Sequence, residues 1–241
     1  MDLSRGRRAG WAARVCILVS LAITAAPAQA PDEAAIIRSI DSALALRVNS
    51  VLGFTDTEHY AVFRGGDETH PVADMTVKDT YTKGVGKNYT ILSQSGSAMI
   101  QRFGLRSLLD NEEQINLPGN VEKSWFVSAN YEMKLKTGDV TKLNGRDCYV
   151  FAITARRKAP NTIVGTLWVD ARDGSIVQID GMATASASAF SGPAHMMRQY
   201  GNVNGFAMAT HARAESNSWL VGRTVVTIDY SDYRLQLGPA R

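Results

Sequence analysis

The residues best able to do chemistry are few and scattered. His59, His70, His195 and His211 stand far apart, without the spacing that brings ligands to one metal ion. Cys148 lies between Asp147 and Tyr149 in a run that reads as a strand buried on both faces, where a thiol behaves as a small hydrophobe rather than a nucleophile. Asp170 and Asp173 flank Ala171-Arg172 and precede Gly174. That is the pattern of a hairpin turn, and the longer ligand series of a calcium loop is missing. The chain contains no G-x-S-x-G, S-x-x-K or H-E-x-x-H, and no glycine loop for phosphate. Asn88-Tyr89-Thr90 fits a glycosylation sequon, which matters only in a eukaryotic secretory route. These residues predict no catalytic site, no metal and no cofactor. Convergence of distant residues in a fold stays open.

The chemistry that remains is apolar binding. Between Ser97 and Leu117, the residues Met99, Ile100, Phe103, Leu105, Leu108, Leu109 and Ile115 alternate with Arg102, Arg106, Asp110, Glu112 and Glu113. The pattern predicts one or two short amphipathic helices, divided at Gly104 and stopped by Pro118-Gly119. Such a segment either plugs a core or closes as a lid over an apolar cavity. Pattern alone favours the plug, because most amphipathic helices are core elements.

The elements around this segment are mostly strands. Asp32 caps a helix whose apolar stripe is Ile37, Ile40, Leu44, Val48 and Val51, ending at Gly53. Strands are predicted over Thr57 to Arg64, Val72 to Thr82 and Lys87 to Gln94 before the helical insertion. In the second of these, Ala73, Met75, Val77 and Tyr81 share one side. After the insertion come strands over Trp125 to Leu135, Arg146 to Arg156, Ile163 to Asp170, Ser175 to Met182, Met196 to Tyr200, Phe206 to Glu215 and Arg223 to Arg234, with a further short strand before Arg146. About ten strands, one N-terminal helix and one insertion predict an α+β domain: a curved antiparallel sheet, or half-barrel, with helices covering its concave face.

The N-terminus predicts export. Arg5, Arg7, Arg8 and Arg14 precede an apolar run from Val15 to Ala26, and Ala28-Gln29-Ala30 is a small-x-small cleavage site. Residues 1–30 read as a cleaved signal peptide, residues 31–241 as one domain. The run is too short for a transmembrane anchor, which takes roughly 20 apolar residues, so the protein is not expected to be integral to a membrane. The leader takes four of the 26 Lys+Arg and one of the 23 Asp+Glu, leaving a balanced chain. A neutral domain without a basic block has no electrostatic reason to bind nucleic acid. Loss of Cys16 with the leader leaves Cys148 alone, so no internal disulfide forms.

Several local motifs carry a family resemblance. Ala129-Asn130-Tyr131-Glu132 looks like the Asn-Tyr opening of a strand, and Leu143-Asn144-Gly145-Arg146-Asp147-Cys148-Tyr149-Val150 looks like an L-x-G-x-x-x-Y strand. Gly165-Thr166-Leu167-Trp168-Val169-Asp170 with Gly174 looks like a W-V-D…G hairpin, and Tyr233 fits a closing strand. With the order of elements, which covers most of residues 31–241, these motifs resemble the LolA/LolB lipoprotein carriers and the related RseB-type sensors, within the wider set of outer-membrane lipoprotein-sorting proteins. The resemblance implies a LolA-like lipid-binding domain in the periplasm. Its function would be non-catalytic: binding lipid, an acyl chain or a lipoprotein, with Met99, Phe103, Leu105, Leu108 and Leu109 as lid and cavity residues. The alternative it implies is an RseB-like sensor or interaction module that contacts another envelope protein.

Overall fold

A computed structural model of the chain describes residues 32–186, 192–218 and 222–239. The expected signal peptide, residues 1–30, lies outside the described residues. Asp32 opens helix α1 (Glu33–Ser50) by accepting the Ala34 N–H at 3.0 Å. Eleven strands follow: β1 (Val51–Arg64), β2 (Ala73–Thr82), β3 (Gly86–Gly96), β4 (Tyr131–Leu135), β5 (Thr141–Leu143), β6 (Arg146–Ala155), β7 (Ile163–Asp170), β8 (Ile176–Ala183), β9 (His195–Val203), β10 (Phe206–Ser218) and β11 (Gly222–Leu237). Between β3 and β4 lies the insertion, made of α2 (Ala98–Ile100), a π-helical turn (Gln101–Leu105) and α3 (Arg106–Ile115). A 3-10 turn (Val121–Ser124) follows it. Among the described residues, no helix is long and apolar enough to cross a membrane.

The strands form one open antiparallel sheet in the order β3-β2-β1-β11-β10-β9-β8-β7-β6-β4, with β5 also on β6. The expected α+β half-barrel is the observed architecture. Directly opposed residues in an antiparallel pair point to the same face. One rung can be followed across nine strands: Met75, Tyr60, Ile228, Ala212, Arg198, Ile179, Leu167, Phe151 and Leu135. Two separate cores sit on this one face. Ile36 and Ile40 of α1 bury Phe151, Ile153, Leu167, Val169 and Ile179 at the β4–β8 end. Ile100, Leu105 and Leu109 of the insertion bury Tyr60, Val62, Met75 and Val77 at the β1–β2 end.

Glycines bring two strands of the first core into tight contact. Gly165 and Gly181 face each other across β7 and β8. A Cβ on Gly165 would stand 2.1 Å from the Asp180 carbonyl oxygen, so only glycine permits this approach. On the opposite face, Arg213 and Arg223 clamp Glu68 and Glu215 at 2.6–3.0 Å. This network ties the β1–β2 loop to β10 and β11 and draws the Glu215 carboxyl down to about 2, through its hydrogen bonds from Arg223 and Arg213.

Several boundaries differ from the sequence reading, among them the first strand, which begins at Val51 rather than Thr57. Helix α1 ends at Ser50 rather than at Gly53. Gly53 is a sheet position, where a Cβ would lie 2.8 Å from the Tyr81 carbonyl oxygen. Gly104 does not divide the insertion: the helix runs through it by widening into the π turn. The strand expected from Trp125 begins at Tyr131. Before it, side chains take the backbone's hydrogen bonds: Asn130 donates to Glu122 and Trp125 carbonyls, and Asp41 of α1 accepts from the Ser128 N–H at 2.9 Å. Cys148 is fully buried, and burial pushes its thiol pKa up, which disfavours the reactive thiolate.

Candidate functional site

The insertion divides the five residues expected to bind. Leu105 and Leu109 are buried against the sheet and Leu108 is packed at their margin. Met99 and Phe103 are each 69% exposed and face solvent, with Arg102 5.3 Å from the Phe103 ring centroid. The insertion is pinned at its start. Gln101 is buried and its Nε2 donates to the carbonyls of Asp74 at 2.7 Å and Ser95 at 2.5 Å. An open surface cleft of about 400 Å³ lies beside that anchor, lined by Gln94, Ser95, Gln101, Arg102 and Arg106.

The space between the two cores is different. Its floor is β9, β10 and β11. Met196 and Tyr200 fringe one core, Val226 and Ile228 fringe the other, and all four are only partly buried. Between them β10 contributes alanines, a strip of small residues that forms the trough: buried Ala212 faces Arg198 and Ile228, and half-buried Ala214 faces Met196 and Val226. The nine-residue rung is apolar except at Arg198, which sits in this trough. Arg47, two turns beyond Ile40 on α1, lies near the same region: Tyr200, Tyr233 and Tyr81, and Arg198, act on its charge. Arg47 and Arg198 keep partial solvent access. Burial lowers the Arg47 pKa, while the phenols of Tyr230 and Tyr200 help hold that of Arg198 above its ordinary value.

Beside the trough is a buried charge cluster that the sequence reading missed. Asp56 and Asp79 face each other across β1 and β2, and Glu58 is two residues from Asp56 on the same face. All three are buried, with ligand-type oxygens within 4.8 Å of one another. Lys87 of β3 supplies the cation: its Nζ stands 2.9 Å from Glu58 Oε1 and 3.0 Å from Asp79 Oδ2. It also donates to Tyr89 Oη at 3.2 Å, and Tyr60 Oη donates to Glu58. Burial alone would lower the Lys87 pKa. Glu58, Tyr89 and Asp79 outweigh it and hold the ammonium well above its usual range. The cluster thus holds the positive charge that a divalent ion would otherwise bring.

Neither oxygen of Asp56 and neither of Asp79 meets an aligned donor, and protonation of Asp56 would turn it into a donor towards Asp79. Burial, then the charge of Glu58, raises the Asp56 pKa to about 8. Burial raises Asp79 as well. In the unfolded chain Asp56 ionises near 3.8. A folded pKa above the unfolded one gives stability that is complete below about pH 4 and lost as the pH rises through about 8. Wild-type melting temperature is therefore expected to fall between about pH 5 and pH 9. Asp56→Asn keeps the shape without the titration, so it should melt higher than wild type at the alkaline end and show a flatter profile. Equal slopes for the two proteins would refute the buried proton.

No family model and no curated protein matches this chain. Its structure is similar to those of several solved proteins. A putative outer membrane lipoprotein-sorting protein domain from Vibrio parahaemolyticus shares 14% identity at TM-score 0.47, covering 85% of this chain and 94% of that one. A DUF1329 family protein from Desulfovibrio piger shares 14% at TM-score 0.41, covering 85% and 95%. A LolA superfamily protein from Nitrosomonas europaea shares 13% at TM-score 0.44, covering 86% of this chain and 94% of that chain.

Proposed function

We propose that the protein is an exported, non-catalytic binder of amphiphiles, acting in the periplasm and holding an acyl chain of a lipid or lipoprotein against its concave face. The observation that carries this reading is the trough on β9–β11. Partly exposed Met196, Val226 and Ile228 lie on the inner face there, between two helix-covered cores. Covering such apolar surface contributes on the order of 25 cal/mol per Å², so one chain laid along the trough is enough for reversible capture. The insertion fills the space directly beneath it with Leu105 and Leu109. The trough, rather than a void under the insertion, is therefore the chain's place in this conformation. Moving the insertion would enlarge it.

A second reading, an envelope sensor or protein-interaction module, is favoured by a separate feature. Met99 and Phe103 are exposed on the insertion beside Arg102 and Arg106 and the open cleft, and exposed apolar side chains in a group mark contact surfaces. Native mass spectrometry of protein purified from an envelope fraction separates the two. The binder reading expects masses of bound amphiphile that survive Phe103→Ser and disappear with Ala214→Phe, which fills the trough. Protein that is free of amphiphile, and that captures an envelope protein only while Phe103 is present, would favour the module.

A further inference from the structure

Charges on the inner face of a sheet need partners, because an unpaired ion in a poorly solvated site is costly. Among the described residues, Lys87, Arg64 and Arg198 stand on this face and Arg47 comes to it from α1. Lys87 is committed to Glu58 and Asp79. Arg47 and Arg198 are not: among the described residues, no carboxylate forms an ion pair with either guanidinium. They come from different elements: Arg198 stands on β9 opposite Ala212 and Ile179, and Arg47 of α1 is near enough for the charge of Arg198 to act on it. Around them are mainly hydroxyls: Tyr200, which takes a hydrogen bond from Arg198, and Tyr230, Tyr81 and Tyr233. Glu112 of α3 faces Arg198 from the insertion without reaching ion-pair distance. Two like charges repel, so this convergence is unfavourable unless an anion joins them. Arg47 also stands in the last turn of α1, where a cation favours the helix dipole. That role does not explain the presence of Arg198 in an otherwise apolar rung.

We propose that Arg47 and Arg198 form the head-group site of the trough, and that the bound amphiphile carries an anionic head, a carboxylate or phosphate. The inference rests on the amphiphile-binding reading and narrows it. The forked donors of a guanidinium pair with both kinds of oxyanion. The tyrosine hydroxyls can donate to the same oxygens, and the apolar fringe of Met196, Val226 and Ile228 takes the chain. The occupant is a chain-bearing lipid rather than a free anion, because the two guanidiniums lie beside that fringe and share its partial exposure.

The test uses three probes below their micellar concentrations: palmitate, 1-palmitoylglycerol with the same chain and no charge, and inorganic phosphate. Wild type is expected to bind palmitate about tenfold more tightly than 1-palmitoylglycerol, the scale of one charge-assisted contact. Arg198→Gln and Arg47→Gln should each remove most of that preference, weakening palmitate binding more than 1-palmitoylglycerol binding. Arg198→Lys should retain part of it. Inorganic phosphate at equal concentration should not displace palmitate. Melting curves of each variant separate loss of the site from loss of fold. Equal affinity for the two chains, or a preference unmoved in both folded Arg→Gln variants, overturns the head-group site and leaves amphiphile binding standing. Displacement by phosphate alone overturns the lipid as occupant. Failure of wild type to bind either chain overturns the binder reading, and the head-group site with it.

Discussion

Lys87→Met is expected to lower stability by about 3–5 kcal/mol near neutral pH, the cost of breaking a buried ion pair. A surface pair would be worth at most about 1 kcal/mol, and burial decides between the two. The Lys87 side chain is 11% exposed, that of Glu58 1%, and that of Asp79 0%. Methionine matches the length of lysine but leaves two carboxylates without a cation, next to a third. For a domain of this size, about 2–4 °C are lost per kcal/mol, so the melting temperature should drop by on the order of 10 °C. The deficit should shrink with acid. Without Lys87, burial and mutual repulsion push the Asp56 and Asp79 pKa values further above their unfolded values, and such stability returns as the pH falls below them. The double variant Lys87→Met with Asp79→Asn should recover part of the loss. A melting temperature equal to wild type at about pH 8 would mean that the cluster is solvated and the ion pair contributes little.

Gly174→Val is the second large effect. Gly174 has φ +75° in the β7–β8 hairpin, where its N–H donates to the Asp170 carbonyl at 3.0 Å. A side chain in that backbone conformation costs about 1–2 kcal/mol. Gly174 also touches α1: a Cβ would stand 2.5 Å from the Ser39 carbonyl carbon and 2.6 Å from its oxygen. Backbone cannot step aside as a flexible side chain does, so the hairpin must lift from the helix, and such overpacking costs typically about 1–3 kcal/mol more. Gly145 is the internal control. It has nearly the same φ, +76°, with nothing within 4 Å of the added Cβ. Gly145→Val should show the backbone cost alone. Thermal melts in which the two valine variants lose equal stability would contradict the contact between hairpin and helix.

Much of the fold was legible in local pattern. Alternation in Ala73 to Val77, the Asp173-Gly174 turn and the Asp32 cap each depend on neighbours in sequence, and each is where the sequence reading placed it. The amphipathic insertion was legible as helix for the same reason, although Gly104 was misread as a break. Gly53 and the Trp125 boundary were misread because their conformations are set across the sheet and by side chains of α1.

The candidate site was written in the sequence less openly. Its signal was a charge standing in apolar phase. Asp79 continues the series Ala73, Met75, Val77; Asp56 and Glu58 continue Tyr60 and Val62; and Arg198 falls between Met196 and Tyr200. Alternation puts each of these on the inner face. What it cannot supply is register: that Asp56 meets Asp79, that Glu58 lies beside Tyr230, and that Arg198 falls in the rung between Ile179 and Ala212. Among the insertion residues, periodicity marked Leu105 and Leu109 as apolar contacts. Met99 and Phe103, four residues apart, share the solvent side, and at about 100° per residue they already stand well round the helix from Leu105 and Leu109.

Titration of delipidated protein with a fluorescent fatty acid, in parallel for wild type and Ala214→Phe, tests amphiphile binding most directly. Ala214 lies on the trough floor between Met196 and Val226, outside both buried clusters, so the variant should fold. Saturable one-to-one binding by wild type, with affinity reduced at least about tenfold in a folded Ala214→Phe, is the predicted result. Absence of binding by wild type, or equal binding by the two proteins, would contradict the trough as the site of capture.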